Sequence, residues 1–304
     1  MFSAMLKKGI LILLVLILFA IPAGCSAQTQ QSDMIEAAFS MLEEGNPFIT
    51  RYEKLTGREI TPLFPQGVPY FFGGIAKPSG NGYFFIAYPH YYVKVCEKSS
   101  GYFTKGMKYL YGVDCSGFAR YVCMACKKEQ LPALSAILTD WNQRPYHVYD
   151  YRKGFEAPAY SRLHETLQVG DMLVIRHEIS EYRHVMMYIG TLRDFGYTEA
   201  EEPALASWLD YPLVIHCGTN GFCGERFQKL IDENPDRYGQ CLTTDGGVAV
   251  SILGPLPEEA PKHGHLQQSD FDWFEMKDEG YCLTVINLAD VKYYCWYRPQ
   301  DRKW

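Results

Sequence analysis

The chain has 304 residues, of which 47% are hydrophobic, 15% aromatic and 21% charged, with 29 Lys and Arg against 35 Asp and Glu. This apolar and aromatic content suffices for a sizeable core and excludes a disordered tail. The acidic balance, with no basic stripe interleaved with aromatics, excludes nucleic acid as a partner, because phosphate neutralisation needs clustered Lys and Arg.

Lys7 and Lys8 precede an apolar run from Ile10 to Ile21, and Pro22, Ala23, Gly24 and Cys25 follow it, which is the layout of a secretory signal over residues 1–27. The run is about a dozen residues long, short of the roughly 20 that a membrane-spanning helix needs. Gly24-Cys25 resembles a bacterial lipobox, although Pro22 stands where a branched aliphatic residue is usual. Two routes stay open: a lipid anchor at Cys25, the one membrane attachment expected, or ordinary cleavage after Ala27. Either exports the protein to the envelope or beyond. Loss of the signal removes Lys7 and Lys8 and leaves 27 basic against 35 acidic side chains.

Residues 28–61 read as a lead-in helix and linker, and 62–304 as the main domain. Met34, Ile35, Ala38, Phe39 and Leu42 recur at helical spacing and predict an amphipathic helix over 33–44, capped by Ser32 or Asp33. Residues 57–82 are dense in Gly and Pro, and Tyr83 to Cys96 is aromatic and β-prone. Gly112 to Lys127 predicts a helix with Phe118, Tyr121, Val122 and Ala125 inward. Beyond it, Asp171–Arg176 and His184–Ile189 are apolar runs joined by a polar connection, the pattern of a buried hairpin. Leu213–Cys217, Val248–Leu253, Cys282–Asn287 and Val291–Tyr297 add strands, with polar, Pro- and Gly-bearing insertions between them. A cysteine-bearing helix packed on a central antiparallel sheet is an α+β fold.

Ten cysteines in an exported chain invite disulfides, but spacing alone does not fix their pairing. Cys123 and Cys126, three apart in the predicted helix, read as packed thiols, since no second Cys-x-x-Cys completes a four-cysteine zinc site. His263 and His265 flank Gly264 in a charged loop without two further ligands in view. No metal and no cofactor is expected.

The chemistry begins at Val113-Asp114-Cys115-Ser116-Gly117-Phe118. A cysteine in the first helical turn meets unpaired N–H groups and the positive end of the helix dipole, which favour its thiolate. Gly117 is expected to leave room for a substrate backbone, and the Cys115 N–H to face the oxyanion formed on attack. The alternative is a buried structural cysteine. His184, heading an apolar strand, could take the thiol proton, and His216, on the neighbouring run, could orient it. Each could equally be a satisfied core histidine. His177 ends its run at a turn and reads as a surface histidine, and Asn220, between glycines, as a turn residue.

Together these residues resemble the NlpC family of papain-like cell-wall peptidases. The landmarks are Pro69-Tyr70-Phe71-Phe72-Gly73-Gly74, Asp114-Cys115-Ser116-Gly117-Phe118, Leu167 to Val174 around Gly170-Asp171, His184-Val185 running into Tyr188-Ile189-Gly190, and His216. The resemblance implies a papain-like fold in which Cys115 attacks a peptide carbonyl, His184 moves the proton and His216 fills the third, polar position. It implies peptidoglycan stem peptides as substrate, cut between D-glutamate and a diamino acid, with Tyr70, Asp114 and Ser116 as substrate-binding residues. Asp114 also suits the helix N-cap, a role compatible with the first. A wall amidase, an acyltransferase and a silent peptide-binding lipoprotein are the alternatives. Two stretches, 75–113 and 191–211, are longer than the family needs and are expected to shape the cleft. Tyr297-Arg298-Pro299 resembles the family's closing strand.

Overall fold

A computed structural model describes residues 23–76, 78–79, 82–83, 90–99, 103–127, 147–150, 163–176, 183–218, 221–243, 246–254, 271–276, 281–286 and 293–298. His177, Asn220, His263 and His265 lie outside them. The N-terminal elements are helices α1 (Ala23–Phe39) and α2 (Pro47–Thr56). Short strands β1 (Pro78–Ser79), β2 (Gly82–Tyr83), β3 (Val93–Val95) and β4 (Lys108–Leu110) lead to helix α3 (Cys115–Lys127). Strands β5 (His147–Asp150), β6 (Met172–Arg176), β7 (Arg183–Thr191) and β8 (Pro212–Gly218) follow. After helices α4 (Gly221–Glu233) and α5 (Pro235–Tyr238) come β9 (Cys241–Leu242), β10 (Gly247–Leu253), β11 (Phe271–Met276), β12 (Tyr281–Ile286) and β13 (Tyr293–Tyr297).

The lead-in helix differs from its expected span. It begins well before Ser32 and ends at Phe39, yet Met34, Ile35, Ala38 and Phe39 are buried as their spacing requires, and Met41 and Leu42 stay buried beyond its end. Its neighbour α2 has stronger punctuation: Asn46 Oδ1 accepts from the Phe48 N–H at 3.0 Å, Pro47 opens the first turn, and Gly57 closes the helix at φ 69°. Helix α1 packs against α3. The second long insertion braces these helices. Phe195 lies 5.8 Å from the Phe39 ring and 5.4 Å from Phe48, and the Arg51 guanidinium sits 3.6 Å over Tyr197.

The main sheet runs β11-β12-β10-β8-β7-β6-β13-β5. It is mixed rather than purely antiparallel, because β10 and β12 pair in parallel, Ser251 opposite Thr284. The expected hairpin forms from β6 and β7, with Ile175 opposite His184. Side chains alternate across the sheet. Val185, Met187, Ile215 and Cys217 pack with α3 residues such as Phe118, and Leu173, Ile175, Met186, Tyr188 and Val214 form a second cluster on the other face. The chain's last described strand, β13, inserts between β6 and β5. Arg298 pins it there, donating from Nε and Nη2 to Asp171 Oδ1 and Oδ2, both at 3.0 Å, with Asp171 wholly buried. A bidentate guanidinium satisfies the buried carboxylate that an unpaired charge would make costly.

Among the described residues, Cys96, Cys115, Cys123, Cys217 and Cys241 are unbridged thiols. No helix among those residues is long and apolar enough to cross a membrane.

Candidate active site

Helix α3 starts at Cys115, three residues later than the sequence pattern suggests, because Tyr111 to Asp114 are tied to the segment before them. The Phe71 N–H donates to Val113 O at 2.9 Å, Val113 N–H to Pro69 O at 3.1 Å, and Asp114 N–H to Gly74 O at 3.0 Å. The Asp114 carboxylate caps the helix: Oδ1 accepts from the Gly117 N–H and from Ser116 Oγ, each at 2.7 Å, while Oδ2 accepts from the Gly73 N–H at 3.0 Å. Tyr70, Asp114 and Ser116 are therefore held in one neighbourhood by backbone and cap bonds.

Glycines make this contact feasible. A Cβ at Gly117 would stand 2.1 Å from Gly74 O, one at Gly74 would stand 2.4 Å from Gly112 O, and one at Gly112 would stand 1.7 Å from Pro69 O. The expectation for Gly117 is thus corrected: the space it leaves is taken by the chain's own Gly74 carbonyl. The first insertion backs this segment, with Phe71 packed between Phe103 and Tyr111 at 4.7 and 4.9 Å.

The helix N-terminus meets the sheet where two strands part. Strands β7 and β8 pair from Thr191 opposite Pro212 to Met187 opposite Ile215, and the rest of each strand runs on beyond that ladder. Into this fork comes the start of α3. Cys217 Sγ donates to Val113 O at 3.2 Å, and the Val185 N–H lies against the Cys115 sulfur. Val185 follows His184 in the chain, so the sulfur reaches β7 one residue from the histidine singled out as base.

His184 and His216 are brought together directly. Their rings meet edge to face, with Nε2 of His184 and Nδ1 of His216 2.9 Å apart, and both residues are buried. Gly218 leaves space for them, since a Cβ there would stand 3.2 Å from His216 Nδ1 and 3.4 Å from His184 Cε1. The hydrogen bonds continue through residues that the sequence did not single out. His216 Nε2 lies 2.9 Å from Ser251 Oγ, and Ser251 Oγ is hydrogen-bonded to Thr284 Oγ1. Single hydroxyls in otherwise apolar strands were the only available signal.

Electrostatics revise the expected thiolate. Burial pushes the Cys115 thiol up to about 12, and the Asp114 carboxylate adds to the rise, against which the N–H groups of Val185, Ser116 and Cys115 itself act only in part. The resting group is a thiol. Burial also holds the His216 imidazole down to about 4, so it is neutral at physiological pH. Among the described residues no group of His, Cys, Asp and Glu is arranged to hold a metal ion.

In this α+β protein Cys115 opens α3 and touches β7 at Val185, the residue after His184, whose ring is hydrogen-bonded to His216. Residues 67–201 match the model of the NlpC/P60 family. NlpC/P60 proteins are typically cysteine peptidases or hydrolases. The matched span holds Tyr70, Asp114, Cys115, Ser116 and His184, whereas His216, Ser251 and Thr284 lie beyond it. No curated protein and no solved structure matches the chain.

Proposed function

We propose that this protein is an exported cysteine endopeptidase of papain-like fold that hydrolyses peptidoglycan stem peptides between D-glutamate and the following diamino acid. The observation that carries the reading is the contact of Cys115 with the backbone of β7 at Val185, the residue after His184, whose ring is hydrogen-bonded to His216. Because burial keeps Cys115 protonated, the proton leaves during attack rather than before it. His184 takes that proton at Nδ1 while the sulfur bonds to the peptide carbonyl carbon, and the oxyanion so formed accepts from the Cys115 N–H. Collapse expels the amine, which receives the proton from His184, and leaves a thioester. Water then gives a proton to His184, attacks the thioester carbonyl, and releases the acid as the sulfur regains its proton.

His216 serves this cycle as a neutral acceptor. When His184 becomes imidazolium, both of its nitrogens donate, and His216 Nδ1 receives the bond from Nε2 at 2.9 Å. Tyr70, Asp114 and Ser116 are the proposed contacts for the free amino end of the stem peptide. Asp114 remains able to accept there through Oδ2, since Oδ1 already takes two bonds while the Gly73 bond leaves one lone pair on Oδ2.

Digestion of defined muropeptides with the mature protein, and mass spectrometry of the products, tests the specificity. Fragments ending at D-glutamate support the proposal. Release of intact stem peptide from the sugar marks a wall amidase, joining of the acyl part to an added amine marks a transferase, and recovery of unaltered substrate marks a binding protein.

A further inference from the structure

Four polar side chains form one hydrogen-bonded line across the interior of the sheet: His184 on β7, His216 on β8, Ser251 on β10 and Thr284 on β12. Register explains the line. Ala249 is opposite His216, which puts Ser251 two residues along on the same face, and Ser251 is directly opposite Thr284. All four residues are buried, Ser251 and His216 completely. Strand interiors of this kind are ordinarily filled by aliphatic side chains, and a hydroxyl there is retained at a cost unless it is hydrogen-bonded.

We propose that Ser251 and Thr284 are positioning residues that hold His216 in the tautomer with its proton on Nε2. The argument is proton counting. Neutral His216 has one ring proton and Ser251 has one hydroxyl proton. If Ser251 donates to Thr284 Oγ1, its oxygen is left to accept from His216 Nε2–H, and His216 Nδ1 is bare. His184 Nε2–H then donates to that Nδ1, and His184 Nδ1, carrying no proton, can take the thiol's. If instead Ser251 donates to His216 Nε2, the ring proton moves to His216 Nδ1 and is given to His184 Nε2. His184 then carries its own proton on Nδ1 and cannot act as base. Either hydroxyl can donate in the Ser251–Thr284 bond, and the proposal assigns Thr284 as the acceptor, which selects the first arrangement. The catalytic consequence rests on the proposed Cys115–His184 chemistry, but the tautomer itself does not.

The test uses the full mature chain with 15N-labelled histidine, in the wild type, Thr284→Val, Thr284→Ser and Ser251→Ala forms. Thermal unfolding first identifies the variants that fold. Nitrogen chemical shifts and two-bond couplings to the ring protons then report which His216 nitrogen carries hydrogen. The proposal expects Nε2–H in the wild type and in Thr284→Ser, and a shift toward Nδ1–H in Thr284→Val and Ser251→Ala. Turnover on a wall peptide should fall in kcat by at least about tenfold in Thr284→Val with KM unchanged, and recover in Thr284→Ser. Nδ1–H in the wild type, or the same tautomer in all four proteins, overturns the inference. A wild type with the Nε2–H tautomer that cuts no wall peptide would overturn the proposed function and leave the tautomer assignment standing.

Discussion

Acid should unfold this protein partly through His216, and the size of the effect follows from its burial. The ring has no exposed surface, and burial holds it at about 4 against an ordinary 6.5. Between those values the unfolded chain takes up a proton that the folded chain refuses, so the contribution of neutral His216 to stability is whole above 6.5 and is lost as pH falls toward 4. At about 1.4 kcal/mol per pH unit, the full loss comes to about 3 kcal/mol, most of which is gone by about pH 4.5. Carboxylates titrate in the same range, so the effect is read as a double difference. Urea unfolding of the wild type and of His216→Gln is compared near pH 7.5 and near pH 4.5. The wild type should lose about 2–3 kcal/mol more than the variant. Equal losses in the two proteins would refute the claim that a neutral, buried imidazole is part of the folded state.

Further outcomes follow from the same geometry. Alkylation of Cys115 by iodoacetamide should be slow near neutral pH and accelerate through the alkaline range toward about 12, whereas a plateau below about pH 7 would show a preformed thiolate. Asp114→Asn, which keeps a good N-cap and removes the charge second only to burial in raising the thiol, should speed that alkylation at fixed pH. Gly117→Ala drives a Cβ to 2.1 Å from Gly74 O and should cost several kcal/mol, on the order of 2–4, in denaturant unfolding; a neutral result would deny the tight seating of the Pro69–Gly74 segment. Arg298→Ala leaves Asp171 buried without its guanidinium and should destabilise by about 3–5 kcal/mol at pH 7 in denaturant unfolding.

Much of the fold was legible because the strands are written as apolar runs that have nowhere to go but inside a sheet. Arg183–Thr191, Pro212–Gly218 and Gly247–Leu253 all lie within a few residues of the runs read from sequence. The helix ends were less legible. Ser32 and Asp33 have the chemistry of an N-cap, but α1 runs through them, whereas Asp114, read as cap and substrate contact alike, does cap α3. Ser251 and Thr284 escaped notice for a different reason. Each is one hydroxyl in an aliphatic run, and only the pairing of β8, β10 and β12 shows that they continue the histidine line. The thiolate expectation failed because helix position was visible in the sequence and desolvation was not. Gly117 was read as a gap for substrate because nothing local indicates that Gly74 fills it.

The most direct test of the account is turnover of one defined stem peptide by the mature protein beside its Cys115→Ala variant, with both shown to be folded. Fragments ending at D-glutamate from the wild type, and intact peptide from the variant, are the predicted result. The same fragments at the same rate from both proteins would contradict it, because the bond would then be broken without the sulfur.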